Sequence, residues 1–565
     1  ANKFLGYLFV FLTIGVYAII GWMSRTAQLS EYYVAGRRVP AFYNGMATGA
    51  DWMSAASFIS MAGGLYLLGY DGLAYVLGWT GGYVLVANLF APYLRKFGQF
   101  TVPDFLGVRY GGHVARSAGV LVLFCASFTY VVAQVLGVGI ITSRFLGISF
   151  EISVFVGLLG ILVCSMLGGM RAVTWTQIAQ YIILIIAYLT PVVWLSTKKY
   201  GIPIPELTYG QALQDIAALE SKLGILKGHM AAFADAKGQF SWDKFNNFFA
   251  LTFCLMGGTA SLPHILMRYF TTPNVRDARM SVGWSIFFIF LLYFTAPAYA
   301  AFAKLEVYSN VIGQPIASLP AWVQNWQAVG GMLTIKDANG DGILQLAELV
   351  INQDIVVLST PEIAGLPYVV SGLVAAGGLA AALSTADGLL LAIANALSHD
   401  VYYKMIDPKA STVRRLVVAR ALLVVVAVVA AATASTRPSG IIQMVAWAFS
   451  LAAAGLFVPV VMGIWWKKTT NVAAVTGMLV GFFICLYYLV MTRYYPAEFK
   501  ALWGTDLWFG ITNISAAIFG MPVGFLITWG LSYFTEQPTQ QMQDFVDSIR
   551  RPKGEVAWEK DAVHE

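Results

Sequence analysis

Apolar stretches long enough to cross a bilayer recur thirteen times along the chain, separated by polar connections. A membrane-spanning helix needs about 20 mostly apolar residues. The stretches at 4–24, 42–68, 72–94, 117–145, 149–169, 173–197, 246–270, 281–304, 363–399, 416–435, 439–466, 471–492 and 505–533 meet that length. The runs are helix-length and not barrel-length, so the pattern predicts an all-α polytopic membrane protein of about 13 transmembrane helices. Two connections are long. Residues 198–245 are polar, carry Pro203 and Pro205 near their start, and predict small surface helices. Residues 305–362 contain a separate motif. The tail from 534 is polar, carries Arg550, Arg551 and Lys553, and reads as solvated.

Two spans are interrupted. The second reads Ala47-Thr48-Gly49-Ala50-Asp51-Trp52-Met53-Ser54-Ala55-Ala56-Ser57, with an acid and hydroxyls at membrane depth. The seventh reads Cys254-Leu255-Met256-Gly257-Gly258-Thr259-Ala260-Ser261-Leu262-Pro263, where a Gly pair and a Pro weaken the helical ladder. Unwound backbone in a bilayer must line a cavity or a site. The two breaks are five helices apart and run in opposite directions, which predicts an inverted repeat of spans 2–6 and 7–11. Packing by small residues explains one such Gly pair, but not two breaks at corresponding positions. The ninth span adds Ala380-Ala381-Ala382-Leu383-Ser384-Thr385-Ala386-Asp387. Asp51 and Asp387 are costly at that depth and are expected to face protein or water. Hydroxyls and carbonyls with few charges suit a hard monovalent cation.

Composition agrees with the pattern: of 565 residues, 58% are hydrophobic and only 11% charged, too few to cover a water-facing surface. Cys125, Cys164, Cys254 and Cys485 all lie in apolar runs and read as packing residues. No two histidines stand at metal-ligand spacing. The net charge of +6 is a topology signal and not a nucleic-acid footprint. With the N-terminus outside, the inside connections gather Arg25, Arg37, Arg95, Arg109, Arg276 and Arg414 among others. The N-terminus and short outside connections then hold only Lys3, Arg144, Arg437, Arg493 and Lys500. The C-terminus is therefore expected in the cytoplasm, and a chain starting at Ala1 fits removal of a signal peptide.

Four segments together resemble the sodium:solute symporter family. They are Asp51-Trp52-Met53-Ser54-Ala55-Ala56-Ser57-Phe58, Gly168-Gly169-Met170-Arg171-Ala172-Val173-Thr174-Trp175-Thr176-Gln177, Leu262-Pro263-His264-Ile265-Leu266-Met267-Arg268-Tyr269 and Leu383-Ser384-Thr385-Ala386-Asp387-Gly388. Within that family the chain looks most like bacterial acetate/monocarboxylate permeases of the inner membrane. The resemblance implies a five-plus-five inverted-repeat core and one sodium site between spans 2 and 9. Its ligands would be the carbonyls of Ala50, Met53 and Ala381 and the hydroxyls of Ser384 and Thr385. Gln177 stands where many relatives have an acid, which speaks against a second sodium on the cytoplasmic side. A short carboxylate would sit near the half-helix ends of spans 2 and 7, where free N–H groups favour an anion. Trp52, Ser57, Gln134, Thr259 and Trp447 are the candidate contacts. The implied organisation is an extra helix and loop at 1–41, a first half-repeat at 42–197, an outside loop at 198–245, a second half-repeat at 246–466, two further helices at 467–533 and a cytoplasmic tail at 534–565.

Residues 337–348, in the connection between spans 8 and 9, fit the twelve-residue EF-hand loop at every informative position. Asp337, Asn339 and Asp341 supply oxygens at positions 1, 3 and 5, and Gly342 makes the turn at 6. Ile343 offers its carbonyl at 7, Gln345 acts at 9 and Glu348 is the bidentate ligand at 12. Leu344 is the apolar anchor. The loop predicts calcium on the outer face, without the partner loop that EF-hands usually have.

The expected function is sodium-coupled symport of a short monocarboxylate: acetate, lactate or pyruvate. A symporter for proline, a sugar or a vitamin is the alternative within the class. A membrane sensor would need an output domain larger than the tail after 533, and a channel would pass solute without sodium. No nucleophile–base pair suggests an enzyme. The sequence is silent on oligomeric state.

Overall fold

The computed structural model describes residues 2–551 apart from 27, 99 and 330; Lys553 and the side chains of Lys3 and Cys164 lie outside the described residues. Among the described residues the chain is almost wholly helical, with one two-stranded antiparallel pair, β1 (Leu333–Ile335) and β2 (Leu349–Ile351). Among the described residues nine helices are long and apolar enough to cross a membrane, or ten when the bent pair Trp242–Ser261 and Pro263–Thr271, inclined by 42°, counts as one span. That count takes Ala56–Phe97 as one helix, whereas the chain turns within it at Gly69–Gly72, where Gly69 adopts φ 64.

Helix covers each of the thirteen apolar stretches, and the broken ones break for local reasons. In span 2, Ala41–Trp52 stops at Met53, and helix resumes at Ala55 to end at Leu68. Spans 5 and 6 share the long helix Leu159–Tyr200, which kinks at Gly169 (φ 56, ψ −136). Only glycine suits that position: its φ is positive, and a Cβ there would lie 2.5 Å from the Tyr32 carbonyl oxygen. In span 8 the helix lapses between Tyr293 and Ala296, ahead of Pro297.

Some boundaries differ from those predicted. Span 9 starts at Tyr368, not 363, because Gly365 (φ 71) and Pro367 separate it from the short helix Val356–Ile363. Span 13 is shorter at its start, since Gly504 and Gly510 turn the chain after the separate helix Pro496–Trp503. In the 198–245 connection one helix, Pro205–Leu223, replaces several small ones; its proline sits in the first turn, where no N–H is needed. Nor is the described part of the tail freely solvated. Helix Gln540–Ile549 buries Val546 and Ile549, sets Phe545 against Phe97 (6.1 Å between ring centres), and brings Asp547 within 3.5 Å of Lys467. Cys254 and Cys485 are buried and Cys125 half-buried, all as free thiols.

Candidate functional site

The break in span 2 is capped from within the protein. Ser54 Oγ accepts from the N–H groups of Ala56 (3.1 Å) and Ser57 (3.4 Å), while Gln134 Oε1 of span 4 accepts from Ala55 N–H (2.6 Å). The amides expected to await an anion here are therefore already engaged. On the other side of the break, span 9 passes against the carbonyl end of Ala41–Trp52. Ser384 Oγ donates to the carbonyls of Ala50 (2.8 Å) and Ala381 (2.9 Å), and Thr385 Oγ1 donates to that of Asp51 (2.8 Å). Ala50, Ala381, Ser384 and Thr385 thus converge, with Met53 fully buried at the break. The donor set is neutral oxygen, the chemistry that suits a small hard cation.

Beside it, Asp51 is held in a buried network that joins four spans. Its carboxylate accepts from Arg268 Nε (2.6 Å) and Gln177 Nε2 (2.6 Å). Gln177 Nε2 also donates to the Ser384 carbonyl (2.5 Å), and Arg268 Nη1 donates to Thr174 Oγ1 (2.5 Å). A Cβ on Gly388 would lie 2.2 Å from Asp51 Oδ1, so this glycine makes room for the carboxylate. Asp51 and Arg268 are both fully buried; removing either would strand the other's charge. Arg268 and Gly388 had no role assigned from sequence, because nothing along the chain joins them to Asp51.

The candidate solute contacts divide into two groups. Trp52 is buried among Tyr83, Phe449 and Trp79, with ring centres 5.0, 5.4 and 6.3 Å away. Ser57 shares a hydrogen bond with Tyr293 OH (2.6 Å), and Gln134 reaches the same break from span 4. Thr259 instead bonds back to its own helix at Leu255 (2.6 Å) and packs on Gly82, where a Cβ would lie 2.2 Å from the threonine's. Trp447 faces away from the break. Its indole N–H donates to Asn513 Oδ1 (2.9 Å), and its ring lines a separate cavity of about 210 Å³ with Phe128, Met444 and Tyr494. Phe449, two residues on, takes the inward position. From sequence, Trp447 is singled out and Phe449 is not, because only the packing separates two aromatic residues on one helix.

The 337–348 loop is folded around its acids. Asp337 accepts from the N–H groups of Gly340 (3.1 Å) and Gly342 (2.9 Å), and Glu348 from those of Ala338 (2.7 Å) and Gln345 (2.9 Å). Asp341 accepts from Ile343 N–H (3.0 Å), which with the Gln345 side chain holds its carboxyl below the ordinary range. Carboxylate oxygens of Asp337, Asp341 and Glu348 lie within 4.8 Å of one another. The place of a partner loop is taken by residues 313–316: Gly313 N–H donates to Leu344 O (2.8 Å) and Leu344 N–H to Gln314 O (2.9 Å).

Asp104, His399 and Asp400 form a second acidic cluster that was not legible in sequence. Its centre is filled by Arg116, whose Nη1 lies 2.5 Å from Asp104 and 2.7 Å from Asp400.

With this geometry in view, the comparisons with known proteins are specific. The sequence model of the sodium:solute symporter family matches residues 32–319 and 345–481. An uncharacterized symporter of Cupriavidus necator is 44% identical, over 97% of this chain and 94% of that protein. A solved Na+-coupled sialic acid symporter, in its substrate-bound outward-open state, superposes with a TM-score of 0.71 at 16% identity, covering 96% of this chain and 100% of that one.

Proposed function

The chain belongs to the sodium:solute symporter family, and from that premise we propose that it takes up a short monocarboxylate (acetate, lactate or pyruvate) with sodium by alternating access. It is a multi-pass membrane protein with the inverted-repeat fold, and both its family and its sodium-coupled structural neighbour support symport with sodium. The observation that carries the reading is the convergence of the Ser384 hydroxyl on the Ala50 and Ala381 carbonyls, beside the break in span 2. Sodium is assigned to the oxygens of Ala50, Met53, Ala381, Ser384 and Thr385. The solute is assigned to the break in span 2, against Trp52, Ser57 and Gln134. The half-repeats are 42–197 and 246–466, and the arginine distribution orients the N-terminus outside and the C-terminus in the cytoplasm of a bacterial inner membrane.

Calcium is assigned to Asp337, Asn339, Asp341, Ile343, Gln345 and Glu348. Two observations favour it: a complete loop pattern, and acids already gathered within 4.8 Å. The loop's first eight residues, 337–344, fall in the interval that the family's sequence model passes over.

Uptake of labelled acetate, lactate, pyruvate and proline into proteoliposomes, with and without a sodium gradient, tests the proposal. Sodium-driven carboxylate uptake is expected. Sodium-driven uptake of proline alone would move the substrate class to the alternative, and flux indifferent to sodium would end the symport reading.

A further inference from the structure

Span 7 breaks at Leu262, which is extended (φ −64, ψ 121), and the chain re-enters helix at Pro263. The next residue, His264, is fully buried, and neither of its ring nitrogens has a hydrogen-bond partner. A polar group is costly to bury unpaired, and this imidazole carries two such atoms. Its ring lies against Tyr130 of span 4, 5.4 Å between centres, and Tyr130 in turn meets Phe449 at 5.5 Å. Phe449 packs on Trp52 and Trp79. The histidine therefore stands beside the same aromatic cluster as Trp52.

The unpaired groups around that cluster share one character. Gln134 Nε2, one turn along span 4 from Tyr130, has no partner; neither does Trp79 Nε1 or the Tyr83 hydroxyl. Gln134's oxygen is already committed to Ala55, so its free end is the donating one. An amide N–H and an indole N–H only donate, while the phenol and a neutral imidazole each offer one donor and an acceptor. A solute that only accepts satisfies such a wall. A carboxylate does so, whereas an ammonium brings only donors. Arg268, one turn beyond His264, is an unsuitable charge partner for the solute, because Asp51 neutralises it at 2.6 Å. The amides of span 2 are engaged by Ser54 and Gln134.

We infer that His264 is the residue that receives the solute carboxylate, donating from an imidazole N–H with Gln134 Nε2 alongside, while Trp52, Trp79 and Phe449 enclose the short alkyl part. This rests on the carboxylate reading above and names the residue that enforces it. The test uses the full chain in proteoliposomes, with acetate and lactate as probes and acetamide and lactamide as neutral competitors. Sodium-induced tryptophan fluorescence without solute reports folding and the cation site. The inference expects His264→Ala to raise KM for both acids at least tenfold, with the sodium response kept and discrimination against the amides reduced. His264→Gln, which keeps an N–H donor, should recover part of the affinity. If the alanine variant loses its sodium response, the Gln and Asn variants decide: unchanged KM in both overturns the inference. Unchanged KM in a folded His264→Ala overturns it too, while wild-type uptake of the acids leaves the carboxylate reading intact. Wild type that carries no carboxylate overturns both.

Discussion

Ser384 and Thr385 each hold a proton toward a carbonyl of span 2, and this fixes what a cation would find there. Rotating the hydroxyl hydrogens away exposes two side-chain oxygens beside the carbonyls of Ala50, Asp51 and Ala381, without moving the backbone. Replacing both residues with Ala should raise the sodium requirement for uptake at least tenfold, or about 1.4 kcal/mol. An unchanged sodium dependence would take these hydroxyls out of the site. The neighbouring Asp51–Arg268 pair makes a separate prediction about stability. Asp51→Asn leaves a guanidinium buried without its counter-charge, which costs roughly 3–5 kcal/mol. The melting temperature of the purified protein should fall sharply, and a second change, Arg268→Met, should restore part of it; a double variant less stable than the single one would contradict this. The sequence marked Asp51 as costly but not its partner. Arg268 lies 217 residues away, and the glycine that admits the carboxylate, Gly388, differs from any packing glycine only by its fold neighbour. Residue type predicted which groups were under strain, and topology alone decided who relieved them.

Among elements, the connection between spans 8 and 9 has the most work to do. From Glu348 the chain forms β2, and three residues beyond its end Asp354 is fully buried. Asp354 Oδ1 accepts from Ser60 Oγ of span 2 (2.7 Å) and Oδ2 from the first amide of span 11, Ile441 (3.3 Å). Gln353 presses on Gly63, where a Cβ would come within 1.9 Å of its carbonyl oxygen. The loop is thus a short tether from a latch that joins the two half-repeats. Calcium at the proposed site would relieve repulsion among Asp337, Asp341 and Glu348 and should raise the melting temperature by mass action, with Glu348→Gln weakening the effect most. A wild type with the same melting curve in millimolar calcium and in chelator, about the range where extracellular modules bind, would dismiss the ion. Transport responds as well only if outward-open and inward-open states bind calcium differently. The latch has its own pH dependence. Burial raises the Asp354 carboxyl from its ordinary 3.8 to about 6, and no charged side chain contributes to that shift. Its protonated form is the one the packed state favours, so the latch is held fully below about 3.8 and loses hold as pH rises through about 6. The loss is on the order of 3 kcal/mol at most. Asp354→Asn should flatten the melting temperature against pH across that interval, and an unaltered slope would assign it elsewhere. The twelve-residue spacing of the loop was fully legible in sequence, since its chemistry is local. The latch was not: one aspartate in a polar connection gives no sign that Ser60 and Ile441 will meet it.

At the scale of the whole molecule, the thirteen apolar runs and the two corresponding breaks were enough to give the architecture, because bilayer length and helix periodicity are written along the chain. What they left open was how the charges balance through a cycle, and the structure supplies the terms. Asp51 and Arg268 cancel each other, so neither adds charge to the moving complex. Gln177 points its amide nitrogen at Asp51 and at the Ser384 carbonyl. That geometry ties the amide nitrogen to oxygens of Asp51 and Ser384, and the side chain carries no charge to balance a second cation. On the proposed reading the cargo is one sodium with one carboxylate anion, and it is neutral. A membrane potential does about 2.3 kcal/mol of work per elementary charge per 100 mV, and none on a neutral complex. Solute accumulation should therefore follow the sodium gradient alone: imposing a potassium-diffusion potential on proteoliposomes at equal sodium on both sides should drive no uptake. Gln177→Asp would return an acceptor to that position, and potential-driven uptake that emerges only in this variant would show the glutamine to be what keeps the cycle neutral. Voltage-driven accumulation by the wild type would instead require a second cation, and with it oxygens other than those around Ser384.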